Sequence, residues 1–325
     1  MNQKNLFLTI LLLASVIVSG CGPSTKQPAF INTTTPAAVP TIVPATMPTD
    51  VPTVMPTDVP AAEPTAMPTD IPTVEPTETT ASTLAPGETQ VSDIDGMEMV
   101  YVPGGEFNMG SLAGPVSEQP VHSVSLDDYW IDRTEVTNAM YKMCVQAGAC
   151  LRPMVFSSNT HYGYYFFEPF TDYPVIALKW SSAEAYCTWA GRRLPTEAEW
   201  EKAAVGTDGR TYPWGNDLPN SGLLNFNKPL GDAEAVGSYP FGASPYRVLD
   251  MAGNLTEWVA DWYAADYYAS SPSSNPTGPV EGQYKVLRGG SWHSDEYLVR
   301  SADRHWLAPD TRDVVVGFRC ALTAP

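Results

Sequence analysis

Proline recurs at every fourth position from residue 36 to residue 76, and this repeat limits the fold more than any other feature of the chain. Fourteen of the 31 prolines lie between residues 23 and 86. Because proline fixes φ and lacks an amide donor, such a segment favours extended polyproline II and buries no core. We therefore predict a disordered Pro/Thr-rich stalk over residues 21–90 and one globular domain over residues 91–325. All nine Trp and all 16 Tyr lie in the globular part.

The first twenty residues have the form of a bacterial lipoprotein signal peptide. Lys4 precedes a mainly apolar run over residues 6–18, which is too short to span a bilayer. Gly20 stands directly before Cys21 and resembles the small residue of a lipoprotein cleavage box. We expect residues 1–20 to be removed and Cys21 to carry lipid. The mature protein would then lie outside the cytoplasm, anchored to the bacterial membrane at the cell surface. An ordinary secreted protein is the alternative.

The charge of the chain limits its partners. A net charge of −18 and a pI of about 4.4 argue against nucleic acid, because phosphate binding needs a basic face. The overall field favours neutral or cationic ligands. No Lys or Arg occurs between Lys26 and Arg133, so the acidic residues of the stalk repel one another and extend it.

Alternating apolar residues predict the strands of the domain. Residues 97–111 alternate around a Pro-Gly-Gly turn and predict a hairpin, and residues 121–133 alternate again. The closing segment, residues 285–320, holds five arginines and two histidines. It begins with a strand-like run at 285–288 and ends with one at 314–320, where Val314, Val316 and Phe318 share a face. The residues between these runs show little periodicity, which is typical of a functional loop.

Capping signals predict three helices. The first covers residues 134–148 and ends at Gly148. The second covers residues 181–191, where Ser181 and Glu184 have the spacing of a capping box. The third covers residues 195–206, where Thr196 and Glu199 have the same spacing. Together with the short strands, these helices predict one irregular α+β domain with low regular secondary structure.

The five cysteines suit an exported protein with two disulfides. If Cys21 carries lipid, four cysteines remain. Cys144 and Cys150 flank the end of the first helix, so a local bridge between them is easy. Cys187 and Cys320 would then form a second bridge, tying the closing segment to the second helix. Free buried thiols are the alternative.

Several blocks resemble the sulfatase-modifying factor, or formylglycine-generating enzyme, family. The most specific is RLPTEAEW at residues 193–200. The others are MVYVPGGEFNMGS at 99–111, VHSVSLDDYWIDRTEVTNAMY at 121–141, YPVIALKWSSAEAYCTWAG at 173–191, YPWGN at 212–216, VGSYPFGASPYRVLDMAGNLTEW at 236–258, RGGSW at 288–292 and GFRC at 317–320. The resemblance implies a compact α+β fold related to C-type lectin-like folds. It also implies a disulfide between Cys187 and Cys320.

The enzymes that this sequence resembles are copper-dependent oxidases. They bind Cu(I) with two nearby cysteines of the closing segment and convert a substrate cysteine to formylglycine. Here no cysteine lies between Cys187 and Cys320, and the two copper positions fall on Ser294 and Glu296. Soft thiolates select Cu(I), and a hydroxyl with a carboxylate does not replace them. We therefore expect no bound copper and assign no catalytic residue.

The resemblance also implies structural calcium. The stretch at residues 250–257 resembles a calcium loop, with carboxylates from Asp250 and Glu257 and backbone carbonyls from Gly253 and Leu255. Oxygen donors in a tight Gly-containing loop suit Ca²⁺. A further site would use Asn225, Phe226 and Asp232, although its spacing departs from the family.

Three hypotheses for function remain. In ligand-binding relatives with this fold, variable contacts lie between RGGSW and GFRC. The corresponding candidates here are His293, Asp295, Tyr297, Arg300, His305 and Trp306. They favour a non-catalytic module that binds a protein, a glycan or a small molecule, since Tyr, Trp and Arg carry most binding energy at interfaces. The second hypothesis is an exported oxidoreductase with altered chemistry, which predicts a bound redox metal. His293, His305, Asp295 and Asp303 lie in the closing segment, and two His with a carboxylate can hold non-haem iron. The alternative for these residues is a polar surface, because their spacing matches no known pattern. The third is a structural component of a cell-envelope complex.

Overall fold

The computed structural model describes residues 84–324. The predicted signal peptide, Cys21 and most of the predicted stalk lie outside the described residues. Strand β1, Thr89–Val91, lies across the boundary predicted at residue 90 and pairs with strand β2, Glu98–Val102. No helix within the described part is both long and apolar enough to cross a bilayer.

Ten short strands and three helices make up the regular structure of residues 84–324. The remaining strands are β3 (Gly105–Met109), β4 (His122–Leu126), β5 (Tyr129–Asp132), β6 (Thr256–Trp262), β7 (Lys285–Arg288), β8 (His305–Leu307), β9 (Val316–Phe318) and β10 (Ala321–Thr323). The helices are α1 (Asn138–Gln146), α2 (Trp180–Trp189) and α3 (Glu197–Val205). Long irregular connections join these elements. The predicted class, an α+β domain with low regular secondary structure, is confirmed.

The predicted hairpin at residues 97–111 is wrong, because its two strands belong to different sheets. Strand β2 pairs with β1 and β5 in a sheet of order β1-β2-β5-β10, whereas β3 pairs only with β4 among the described strands. The alternating stretch at residues 121–133 is divided between two strands, β4 and β5. The break between β2 and β3 lies beside the break between β4 and β5, since the Gly104 amide donates to Asp128 Oδ1 at 2.6 Å. The chain therefore passes from one sheet to the other twice at this contact.

The closing segment forms most of a sheet of order β8-β7-β6-β9. Strand β7 lies where it was predicted, while the predicted final strand is reduced to β9, which runs parallel to β6. Strand β8 lies inside the stretch that shows little periodicity. After Cys320, β10 joins the other four-stranded sheet beside β5. The last twenty residues thus connect both four-stranded sheets.

The three helices differ in how well local signals predicted them. Helix α3 has the predicted capping box between Thr196 and Glu199 and ends at Gly206, which confirms that prediction. Helix α1 begins later than predicted, after Thr137, whose hydroxyl accepts from the Met140 amide. The capping box predicted for α2 is wrong. Its N-cap is Lys179, which makes no side-chain cap, so Ser181 lies within the first turn.

The core is built around α3 and the two disulfides. All nine residues of α3 are buried, and Trp200 is fully enclosed. Cys187 is bonded to Cys320, with 5.6 Å between their Cα atoms. Cys144 is bonded to Cys150, with a Cα separation of 5.3 Å. Both disulfides border the same apolar cluster, so they fasten α1, α2 and the chain end to one core.

Candidate functional site

A cavity of about 210 Å³ opens over the sheet β8-β7-β6-β9. Thr256, Leu287 and Val316 contribute from three strands, and His305, Trp306 and Leu307 from β8. The rest of the wall comes from the loops of the closing segment: Gly290, Ser294, Leu298, Asp313 and Val315. Gly290 has φ of +66°, and a Cβ there would meet Leu298 O at 2.5 Å. Glycine is therefore required where the segment turns over the cavity.

The two aromatic candidates of the closing segment are exposed. Trp306 is 45% exposed and stacks on Tyr263, with ring centroids 4.6 Å apart. Tyr297 is 45% exposed, and the Arg300 guanidinium lies 4.1 Å from its ring centroid. His293 and Asp295 are exposed in the same loop, and Asp295 accepts hydrogen bonds from the Tyr297 and Leu298 amides. Of the six predicted ligand-binding residues, His305 and Trp306 line the cavity itself.

Arg300 does not present its charge to a ligand, which corrects its prediction as a binding residue. It is 5% exposed, and its two terminal nitrogens donate to both carboxylate oxygens of Glu118 at 2.8 Å. Glu118 is itself fully buried. Arg300 therefore fixes the loop, since a buried bidentate pair holds one geometry.

Two more arginines of the closing segment are anchored on α3. Arg304 donates to both oxygens of Glu197 at 2.7 and 2.9 Å. Arg288 pairs with Glu201 and lies 3.2 Å from Glu197. Burial raises the pKa of Glu197, but Arg304 and Arg288 outweigh it and hold that pKa below its usual value. The sequence analysis did not predict these partners. The only local signal is the spacing of four between Glu197 and Glu201, which places both acids on one face of α3.

The four residues proposed as iron ligands do not form a metal site. His305 Nε2 lies 3.1 Å from Asp303 Oδ2, and the interaction with this carboxylate raises the pKa of His305. Within residues 84–324, no group of three or more His, Cys, Asp or Glu side chains has the arrangement of a metal site. The predicted set of His293, His305, Asp295 and Asp303 is therefore not brought together.

Ser294 and Glu296, at the positions of the two copper cysteines of the family, make ordinary polar contacts. Ser294 lines the cavity, and its hydroxyl accepts from the Ser291 amide at 3.0 Å. Glu296 is exposed, and its carbonyl accepts from the Tyr212 hydroxyl. All four cysteines of the described part are in disulfides. The domain therefore offers no thiolate pair as a donor set for Cu(I).

The predicted calcium loop at residues 250–257 is tightly folded around a buried ion pair. Arg319 donates to both oxygens of Glu257 at 2.7 Å, and Trp200 Nε1 donates to the same carboxylate at 2.8 Å. Asp250 accepts from the Gly237 amide at 2.7 Å, and burial raises its pKa. A calcium ion at Glu257 would share this carboxylate with Arg319.

The other predicted calcium site has one free oxygen. Asn225 is buried, and its Oδ1 has no hydrogen-bond partner. The Asp232 carboxylate accepts instead from Ser158, Thr160 and His161. Burial raises the pKa of Asp232, but these hydrogen bonds hold it below its usual value. Asn225 therefore fits a cation, whereas Asp232 is already fully engaged.

Comparison with known proteins identifies the domain. A family model described as the sulfatase-modifying factor enzyme 1-like domain matches residues 85–324. The chain belongs to this family. The formylglycine-generating enzyme of Streptomyces coelicolor is 36% identical over 276 residues, which cover 68% of this chain and 88% of the enzyme.

Two further comparisons show how widely this sulfatase-modifying factor domain is used. The serine/threonine-protein kinase pkn1 of Chlamydia caviae is 37% identical over 237 residues, covering 69% of this chain. The chain spans only 38% of the length of that relative. The structure of PvdO from Pseudomonas aeruginosa has a TM-score of 0.64 at 25% identity, over 74% of this chain and 100% of PvdO. The sulfatase-modifying factor fold is therefore shared by proteins with different names, and the fold does not fix the function.

Proposed function

We propose that the protein is a cell-surface lipoprotein whose sulfatase-modifying factor domain is a non-catalytic binding module. The observation that carries this proposal is the cavity over β8-β7-β6-β9, which has an exposed aromatic rim and no cysteine in its wall. Trp306 lines the cavity and Tyr297 is exposed in the preceding loop, and exposed Trp and Tyr side chains supply rigid contact area at low entropic cost. Tyr297 lies in the loop before β8 and Trp306 lies in β8. Arg288, Arg300 and Arg304 fix this part of the chain through buried hydrogen bonds.

The size of the cavity and the net charge of the chain indicate how a ligand would be held. At about 210 Å³ the cavity is smaller than most sites that enclose a whole small molecule. It fits one side chain or one sugar ring, while the rest of a protein or glycan lies across Trp306 and Tyr297. A net charge of −18 favours a neutral or cationic ligand over an anionic one at this site.

The proposed location follows from the N-terminal sequence. Lipid on Cys21 would anchor the chain to the membrane, because several acyl chains on one residue hold a protein stably. The Pro/Thr-rich stalk would then separate the domain from the membrane surface. The variant Cys21→Ser should move the protein from the membrane fraction to the soluble fraction. Retention of this variant in the membrane would contradict the lipid anchor.

One observation favours the alternative of an exported oxidoreductase with altered chemistry. His305 lines the cavity, and its Nε2 lies 3.1 Å from a carboxylate oxygen of Asp303. A neighbouring carboxylate is a common means of orienting a reactive imidazole. This alternative needs a redox metal or an organic cofactor bound to the purified protein. Elemental analysis and absorption spectroscopy of the purified protein separate it from the binding module.

Substitution of the two exposed aromatics tests the binding module. Trp306→Ala and Tyr297→Ala should each weaken binding at least about tenfold on a glycan array and in capture from envelope extract, since central aromatic anchors contribute about 2 kcal/mol or more. Phe241→Ala is the matched control, because Phe241 is 80% exposed and lies outside the closing segment. Binding that both variants retain in full, or an equal loss in the control, would contradict the proposed site.

A further inference from the structure

A second and larger cavity, of about 550 Å³, lies where the start of α2 meets the loop that follows the Cys144–Cys150 disulfide. It shares no lining residue with the cavity described above. Its wall combines apolar and cationic side chains: Leu151, Arg152, Pro153, Met154, Phe156, Ala177, Leu178, Lys179 and Arg312. The hydroxyl-bearing residues Ser181 and Ser182, in the first turn of α2, complete it. Its volume is that of a site for a small organic ligand.

The cations of this cavity are unusual in a strongly acidic chain. Among residues 84–324, four solvent-accessible Lys or Arg side chains have no carboxylate within 4.0 Å: Lys142, Arg152, Arg247 and Arg312. Arg152 and Arg312 face the same cavity. Lys179 also lines the cavity, and Asp310 pairs with it. Within residues 84–324, the two arginines therefore form no ion pair within 4.0 Å. Lys179 and Arg312 both lower the pKa of Asp310, but the ion pair of this exposed carboxylate is with Lys179.

The apolar side chains of the cavity wall are also exposed. Leu151 is 82% exposed and Met154 is 71% exposed. The guanidinium of Arg152 lies 5.3 Å from the ring centroid of Phe156 and 5.7 Å from that of Phe166. Buried Tyr165 packs behind Phe166, and the Lys142 ammonium lies 5.5 Å from the centroid of the Tyr165 ring. Exposed apolar groups that border unpaired cations mark a recognition surface.

We propose that this cavity binds an amphiphilic anion, a molecule with a carboxylate or phosphate group attached to an apolar body. The two guanidinium groups would bind the anionic head, since their fork geometry matches carboxylate and phosphate oxygens. Leu151, Met154 and Phe156 would cover the apolar body. A free inorganic anion would leave that wall exposed, and a neutral apolar molecule would leave both arginines unpaired. The site is separate from the proposed ligand cavity, so each is tested without the other.

Binding of decyl phosphate tests the proposal. The mature chain carrying Cys21→Ser is titrated with decyl phosphate, dispersed below its micelle concentration, by isothermal calorimetry. We expect saturable binding that the double variant Arg152→Gln, Arg312→Gln weakens at least about tenfold, because two charge-assisted contacts are lost. Arg247→Gln is the matched control, since Arg247 is also exposed and unpaired but lies outside the cavity. It should leave binding unchanged.

Further measurements separate the contributions of the anionic head and the apolar body, and they identify the source of the ligand. Inorganic phosphate should bind much more weakly than decyl phosphate, and Met154→Ser should weaken only the latter. Flotation with phosphatidylglycerol vesicles, against phosphatidylcholine vesicles, shows whether a membrane lipid is the ligand. Binding to anionic vesicles alone, lost in the double arginine variant, would assign the site to such a lipid. No binding of either probe, or an equal loss in Arg247→Gln, would overturn the proposal.

Discussion

Arg300 and Glu118 show how single charges organise the closing segment. Both side chains are buried, and two hydrogen bonds of 2.8 Å join them. Glu118→Ala would leave the guanidinium charged and unpaired inside the protein. We expect it to lower the free energy of unfolding by about 3–5 kcal/mol, as measured by urea denaturation. The cause is the uncompensated charge, so replacing both residues with Met should recover most of the loss.

A surface pair provides the control for this prediction. Arg133 and Glu98 are joined at 2.6 Å, but their side chains are 35% and 37% exposed. Because water screens such a pair, Arg133→Ala should change the free energy of unfolding by less than about 1 kcal/mol. If Glu118→Ala loses no more than Arg133→Ala, the buried pair does not hold the loop in place.

The positions of these arginines could not be predicted from the sequence. Arg is rarely buried unless it is paired, so an Arg-rich loop is expected to be exposed. The pairs depend on residues far away along the chain, 182 positions for Arg300 with Glu118 and 107 for Arg304 with Glu197. Tyr297 and Trp306, in contrast, are exposed, and their role in ligand binding stays a prediction.

At the scale of elements, a local signal predicted one helix correctly, whereas two other local signals were overruled by contacts distant in sequence. The capping box of α3 involves residues three positions apart, so the sequence contains it in full. The same spacing between Ser181 and Glu184 gave a wrong start for α2. That helix begins at Trp180, whose amide donates to the Pro309 carbonyl. The Pro-Gly-Gly turn was also misleading, since Asp128 binds Gly104 and directs β2 and β3 into separate sheets. These outcomes depend on contacts that no short pattern encodes.

The loop between Leu249 and β6 carries a prediction about calcium. Asp250, Gly253, Leu255 and Glu257 are the proposed ligands of this site, whereas Asn225, Phe226 and Asp232 belong to the other predicted site. A ligand that binds only the folded state stabilises it by about 2.7 kcal/mol at a concentration of one hundred times Kd. Removing calcium with EGTA should therefore lower Tm in calorimetry, and adding Ca²⁺ should restore it.

Two controls make the calcium result specific. Mg²⁺ should not restore Tm, because it demands a smaller and more rigid octahedral site. Asp250→Asn should abolish the response to Ca²⁺ while keeping the hydrogen bond from the Gly237 amide to the side-chain oxygen. A Tm that EGTA leaves unchanged would mean that Arg319 is the only counter-charge of Glu257 and that the calcium prediction is wrong.

At the scale of the whole molecule, the two disulfides constrain very different lengths of chain. Cys187 and Cys320 are separated by 133 positions, whereas Cys144 and Cys150 are separated by six. In the chain-entropy model these bridges stabilise the fold by about 5 and about 2 kcal/mol. The longer bridge also lies between β9 and β10, where the chain passes from one four-stranded sheet to the other. Its loss should therefore loosen both sheets.

Paired substitutions compare the two bridges directly. Cys187→Ala with Cys320→Ala should lower the free energy of unfolding by more than Cys144→Ala with Cys150→Ala, as measured by urea denaturation. Hydrogen exchange should then show faster exchange of the β10 amides in the first variant, because Cys320 precedes that strand. In the second variant the change should be confined to the end of α1 and the loop around Arg152. Equal losses, or exchange that changes only locally in both, would show that native packing rather than the long bridge holds the chain end.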